Sequence, residues 1–152
     1  MDTRLASAIH ALIMIAGSDK PVTSELIAES VGTNASHIRK IAGLLKRRGI
    51  IDSHRGRGGF TLLVAPEELS LLSIYQAINE SEQVHVFDLH QNPNDRCIVG
   101  RHIRPVLTDV FRDIEEKAER ELRDTTLADC MQRMRTEIDR EERHEGSGSG
   151  QV

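Results

Sequence analysis

The stretch His54-Arg55-Gly56-Arg57-Gly58-Gly59-Phe60 sets two fixed positive charges among three glycines. Glycine lets a backbone approach a ligand closely, and a guanidinium suits phosphate oxygens. The loop therefore reads as a phosphate-meeting element, owned either by a cofactor enzyme or by a nucleic-acid binder. Acetyl-CoA loops of the type R-x-x-G-x-G/A share Arg55 and Gly58, but the last position here is Phe60, where a small residue is required. A P-loop needs Gly-Lys-Ser/Thr after its glycines, and that is absent. No nucleophile–base pair or carboxylate pair stands out either. A phosphate-cofactor enzyme is the poorer reading, and no enzyme activity is expected.

Cys97 is the second place where chemistry is legible. Arg96, Arg101, His102 and Arg104 surround it in sequence, a setting that favours the thiolate and suits an oxidation sensor. The alternative is a small buried hydrophobe beside Ile98 and Val99. Cys130 falls between apolar helix positions and reads as structural. His85, His90, Cys97 and His102 are spaced by five, seven and five residues, which matches no zinc signature, so no metal site is expected. Two cysteines cannot build a disulfide framework, in keeping with a reducing compartment. No stretch approaches the ~18 apolar residues of a membrane span. A cytoplasmic protein without a membrane partner is expected.

Charge divides the chain. Its net charge is −4, yet residues 1–62 carry nine Lys/Arg against five Asp/Glu, and the remainder eleven against nineteen. Between 34 and 59 there are seven basic residues and one acid, Asp52. A basic patch within an acidic protein is the footprint of a polyanion site, although a solvated basic face would look the same.

The elements that must position these residues follow from apolar spacing. Leu5, Ala8, Ile9, Leu12, Ile13 and Ala16 recur at three and four, predicting a first helix that ends at Gly17. Thr23 reads as the N-cap of a shorter helix using Leu26, Ile27 and Val31, closed by Gly32-Thr33-Asn34. A third helix spans 35–48, with Ile38, Ile41, Leu44 and Leu45 inward and Gly49 closing it. Two helices joined by a glycine turn, the second basic, form the helix-turn-helix pattern. Short strands at 50–53 and 60–64, joined by the glycine-rich loop, add a hairpin or wing. The predicted fold is mainly α with a small β-hairpin: a winged helix-turn-helix plus a long dimerisation helix.

That last element is read from Ile103, Val106, Leu107, Val110, Ile114, Ala118 and Leu122, a narrow seam on a highly charged helix. Such a seam suits a two-helix contact, the alternative being a surface helix on its own domain. Before it, Pro66-Glu67-Glu68 opens a helix through Ile78, and 80–102 reads as a loop. Pro105 then falls in the first turn of the long helix. Thr126-Leu127-Ala128-Asp129 matches a capping box before a final helix carrying Leu127, Met131, Met134 and Ile138. The expected division is a DNA-binding domain over 1–79, a sensor loop over 80–102, dimerisation and C-terminal helices over 103–140, and a flexible tail over 141–152.

The run SHIRKIAGLLKRRGIIDSHRGRGGFTLLVAPEELSLLSIYQAI, with a long helix and TTLADCM after it, resembles the Rrf2 family of bacterial winged-helix regulators, which includes IscR, NsrR and CymR. The likeness covers about Arg4 to Met134. It implies a homodimer with crossing long helices and two winged domains on successive turns of a palindromic double-stranded DNA operator. Better-known members ligate an iron–sulfur cluster through three cysteines in the loop before the dimerisation helix. Here DLHQNPNDRCIVGRHIRPVL holds only Cys97, matching the last of the three. A cluster takes four ligands, mostly thiolates, so no cofactor is expected and the chain looks like the cluster-free thiol branch.

On this reading, Ser36 and His37 face base edges from the first turn of the third helix, with Arg39 and Lys40 behind them. Lys46, Arg47 and Arg48 lie farther along and meet phosphate or water. Arg55 and Arg57 enter an adjacent minor groove, with Gly58 permitting close approach. Cys97 senses oxidant, through sulfenic acid or an intersubunit disulfide. The expected function is a transcriptional regulator, a repressor. A small molecule, metal or partner protein remains the alternative signal.

Overall fold

A computed structural model of the chain describes residues 2–56 and 58–148. Among these the element order is α1 (Arg4–Ala16), α2 (Ser24–Val31), α3 (Ala35–Arg47), β1 (Ile51–Ser53), β2 (Phe60–Leu62), α4 (Leu71–Asn79), α5 (Ile98–Asp124) and α6 (Leu127–Gly148). The first three helices form one aliphatic core. Ala8, Leu12 and Ile15 of α1 meet Ile27 and Ala28 of α2 and Ile38, Ile41 and Leu45 of α3. Leu26, expected inward, is 53% exposed. The buried stripe of α2 is Ser24, Ile27 and Ala28, and Leu26 falls outside that i, i+3, i+4 face. Caps fix the helix-turn-helix: Thr23 Oγ1 accepts from Leu26 N at 3.2 Å, and Asn34 Oδ1 from His37 N at 2.8 Å. Gly32 closes α2 at φ 80°, a conformation that glycine takes without steric cost.

The wing is antiparallel, with Ile51 opposite Leu62, Asp52 opposite Thr61 and Ser53 opposite Phe60. Its strands are shorter than the sequence suggests, although Leu63 N still donates to Ile50 O at 2.9 Å. Phe60 pairs on its other side with Val22, through N–H···O bonds of 3.1 and 2.9 Å. The α1–α2 connection thus anchors the base of the wing.

The second half differs from expectation at four points. Residues 66–68 form a turn rather than a helix start, and α4 begins at Leu71, capped by Ser70 Oγ on Ser73 N at 3.1 Å. The reason is long-range. Ser70 forms a bridge with Thr126, Leu69 O accepts from Leu127 N at 2.8 Å, and Leu71 N donates to Thr125 O at 2.9 Å. Backbone engaged with a distant segment cannot also wind into a helix.

The long helix begins at Ile98, five residues early, because Arg101 N already bonds Cys97 O at 2.9 Å. Pro105 therefore sits inside the helix, where it supplies no N–H to the preceding turn. Finally, α6 continues to Gly148, through the stretch from Glu141 read as a tail. Its surface is laced at helical spacing, Arg140 pairing with Glu137 at 3.2 Å and Arg143 Nε with Asp139 O at 3.1 Å. Residues 149–152 lie outside the described residues.

The capping box forms as read. Thr126 N donates to Asp129 Oδ2 at 2.9 Å, and Asp129 N to Thr126 Oγ1 at 3.2 Å. The Thr126 N–H above all, and then the Thr126 hydroxyl, hold the Asp129 carboxyl below the usual carboxylate range. Leu127, within the box, is fully buried in the core of the winged head.

Candidate nucleic-acid interface and thiol site

Helix α3 buries Ile38, Ile41, Ala42 and Leu45 and turns its polar residues outward. Ser36, Arg39 and Lys40 are exposed, and His37 is half-buried with its N–H spent on the Asn34 cap. The Arg39 guanidinium is held by α2, 3.3 Å from Glu25 Oε1 and 3.4 Å from Ser24 Oγ. Lys40 has no ion-pair partner among the described residues.

The three later bases each have a partner within the chain. Lys46 Nζ donates to Ser53 Oγ at 2.6 Å, tying α3 to β1. Arg47 pairs with Glu80 at 2.7 Å and Arg48 with Glu82 at 2.8 Å, tying α3 to the segment after α4. Sequence reasoning missed these partners because they lie 33 and 34 residues away.

In the wing, Arg55 is exposed and His54 Nε2 meets Thr61 Oγ1 across the hairpin at 2.8 Å. Gly56, Gly58 and Gly59 have φ of 85°, 73° and 107°, so all three glycines are required by the backbone. Arg57 lies outside the described residues. Gly59 carries a further constraint that sequence spacing does not reveal. A Cβ there would stand 2.8 Å from Pro21 Cβ and 3.0 Å from Pro21 C.

Cys97 is exposed at the start of α5. Its thiol is held below the ordinary value, by the backbone N–H of Gly100 first and of Val99 second. No N–H makes a capping hydrogen bond of standard geometry to Sγ, so the effect is that of the nearby positive helix end. Two of the three arginines credited from sequence, and the histidine, are engaged elsewhere. Arg101 Nε donates to Asp95 O at 3.1 Å and Arg104 Nη1 to Gln91 O at 3.0 Å, while His102 Nδ1 donates to Ile98 O at 2.7 Å. Exposure also removes the reading of Cys97 as a buried hydrophobe. Cys130 is half-buried on α6. His85, His90, Cys97 and His102 are not gathered, and the described residues contain no group of three or more His, Cys, Asp or Glu able to hold a metal ion.

Helix α5 presents two faces. Ile103, Leu107, Phe111, Ala118 and Leu122 are half-buried, while Val106, Val110 and Ile114 are 56%, 45% and 44% exposed. The apolar seam read from sequence is therefore split between an inner and an outer face. On α1 and α6, Ala6, Ile9, His10, Ile13, Met14 and Met134 line a further groove of about 490 Å³.

A basic helix after a capped turn, with a hairpin pinned beside it, is the geometry against which relatives can be compared. The model of the Rrf2 family, described as iron-dependent transcriptional regulators, matches residues 1–133. The chain belongs to the Rrf2 family. It is 38% identical over 131 residues to YwnA of Bacillus subtilis (strain 168), named as an HTH-type transcriptional regulator, covering 86% of this chain and 96% of that protein. A solved structure described as a DNA-binding protein is 33% identical with a TM-score of 0.66, covering 84% of this chain and 98% of its own. IscR of T. potens shares the fold at a TM-score of 0.65 and 22% identity, over 88% of this chain and 87% of its own.

As an Rrf2 chain, the protein is a winged-helix transcriptional regulator, and its family and relatives are regulators rather than enzymes. The family description raises iron. An iron–sulfur cluster needs four ligands, mostly thiolates, whereas the loop before α5 offers Cys97 alone and Cys130 lies on α6. The donors of the described residues do not fit such a cluster within one chain. No described helix is long and apolar enough to cross a membrane.

Proposed function

We propose that the protein is a cytoplasmic, homodimeric repressor of a palindromic double-stranded DNA operator, responding to oxidant through Cys97. The observation that carries the DNA reading is the outward polar face of α3, where Ser36, Arg39 and Lys40 are exposed beside a pinned wing. Ser36, His37 and Arg39 read base edges from the first two turns of α3, and Lys40 meets phosphate. Glu25 orients Arg39. Arg55 and Arg57 probe the neighbouring groove, with Gly58 shaping the tip. Repression follows from occupancy: a protein seated on a duplex keeps others off the same site.

The outer face of α5 supports the dimer, because Val106, Val110 and Ile114 leave an apolar stripe in water unless a second copy covers it. In the sensing step, the Cys97 thiolate attacks a peroxide oxygen. The S–O bond forms, the O–O bond breaks, and the departing hydroxide takes a proton to become water. The sulfenic acid then changes the charge at the start of α5. A small molecule or partner protein acting on the same loop is the second reading, supported by the cavity of about 360 Å³ between the loop and α5.

Binding-site selection with reduced protein, followed by a salt titration, tests this. A palindromic consensus and a salt-dependent shift are expected, with Lys40→Ala lowering the salt slope by about one. Repeating the shift after peroxide, with Cys97→Ser alongside, tests the signal. An oxidant response equal in mutant and wild type removes Cys97, and a failure to enrich any duplex removes the operator.

A further inference from the structure

The segment His85-Val86-Phe87 is gripped from both sides by different parts of the molecule. From α4 in the winged head, Tyr75 Oη donates to His85 O at 2.9 Å and accepts from His85 N at 3.1 Å. From α5, Glu115 Oε1 accepts from Val86 N at 2.7 Å and Phe87 N at 3.1 Å. The same carboxylate lies 3.4 Å from His85 Nδ1, and Asp88 Oδ1 is 2.9 Å from Nε2. Phe87 completes the grip by stacking on Phe111 of α5, ring centres 5.0 Å apart. Glu115 is only 16% exposed, so its charge rests on these three donors.

We propose that residues 85–87 are a proton-operated strap: the charged imidazole of His85 clamps the winged head to α5, and the neutral one lets go. The two carboxylates in contact with the ring favour that sign. Asp88 precedes α5 on the same loop, Glu115 faces it from α5, and Asp2 lines the adjoining cavity with Tyr75 and Asn79. Two cations stand nearby, each already paired: Arg4 with Asp2 at 2.7 Å and with Asn79 Oδ1 at 3.2 Å, and Arg112, which lines the other cavity, with Asp109 at 3.1 Å. The Asp88 hydrogen bond above all, and then the Glu115 charge, hold the imidazole above its ordinary value. A group whose folded value is raised stabilises the closed strap below the ordinary imidazole range and loses that contribution as pH rises through the folded value. The neutral ring can still donate to one carboxylate, but the other then faces a lone pair.

The consequence for operator binding rests on the reading that α5 joins two heads, since the strap fixes the angle between head and helix. The decisive experiment needs no DNA. Solvent-exchange NMR at the Val86 and Phe87 amides of the full chain is compared at about pH 5.5 and about pH 8.5, against intrinsic exchange. Protection about two- to fivefold higher at the lower pH is expected, the range open to an exposed ion pair. His85→Gln should abolish that difference, and Tyr75→Phe should lower protection at both pH values. A pH effect that survives in His85→Gln, or wild-type protection that is flat or rises on deprotonation, overturns the proposal. Operator affinity of wild type and His85→Gln across the same range then reads the coupling separately: a working strap without that coupling faults the two-headed dimer instead.

Discussion

Replacing Gly59 by alanine isolates what holds the wing in place. The residue sits at φ 107°, where an L side chain costs about 1–2 kcal/mol. Gly56 and Gly58, at φ 85° and 73°, carry a similar cost, but a Cβ at either meets nothing within 4 Å. At Gly59 the new Cβ would lie 2.8 Å from Pro21 Cβ and 3.1 Å from Val22 N. Neither neighbour is the tip of a flexible chain, so the wing or the 21–22 segment must move. The bonds at risk are the two between Val22 and Phe60, each worth about 0.5–1.5 kcal/mol net. Gly59→Ala should therefore cost about 2–5 kcal/mol, against about 1–2 kcal/mol for Gly56→Ala. Urea denaturation of the two variants measures the difference, and a duplex shift reports whether the displaced wing weakens DNA binding. If Gly59→Ala unfolds at the same urea concentration as Gly56→Ala, the wing is not anchored through Pro21 and Val22, and the steric argument fails.

Three other outcomes are expected. Leu127→Ala empties a fully buried site where α6 enters the head and should cost about 2–5 kcal/mol in a thermal or urea melt; a loss near zero would mean that α6 does not share the head's core. Gly100→Ala gains about 1 kcal/mol of helix propensity but drives a Cβ into the Asn94 carbonyl, so the melt should show net destabilisation, and any gain would refute the close approach. Alkylation of Cys97 against pH should have its midpoint below that of the urea-unfolded chain. The folded value is depressed, so the thiolate's contribution to stability is present above the unfolded value and fades as pH falls through the folded one. Coincident midpoints would remove the helix end as the cause.

Local chemistry was readable along the chain wherever the partner lies within one turn. Thr23 and the Thr126–Asp129 box cap the helices that their spacing announces, since a cap bonds an N–H only two or three residues away, while Asn34, read as a turn residue, also caps α3. The aliphatic stripe of α3 gave its buried face for the same reason. The order helix, turn, basic helix and glycine-rich hairpin, with the family likeness it carries, was likewise present in the sequence alone.

What tertiary structure decided concerns partners far away in sequence. Residues 66–70 read as helix by composition, yet pairing with 125–128 holds them extended or turned, because backbone hydrogen bonds made across the molecule displace local ones. The apolar seam of α5 divides into a face against the loop and a face in water only once residues 84–91 fold back on it. Arg47 and Arg48 meet Glu80 and Glu82 only once the chain is folded. The Cys97 thiol owes its lowered value to the start of α5, not to the arginines that flank it in sequence. Sequence fixes which groups are available and what each can do. Which of them meet, and so which charges are free for DNA or for a proton, is set by long-range packing that no local period encodes.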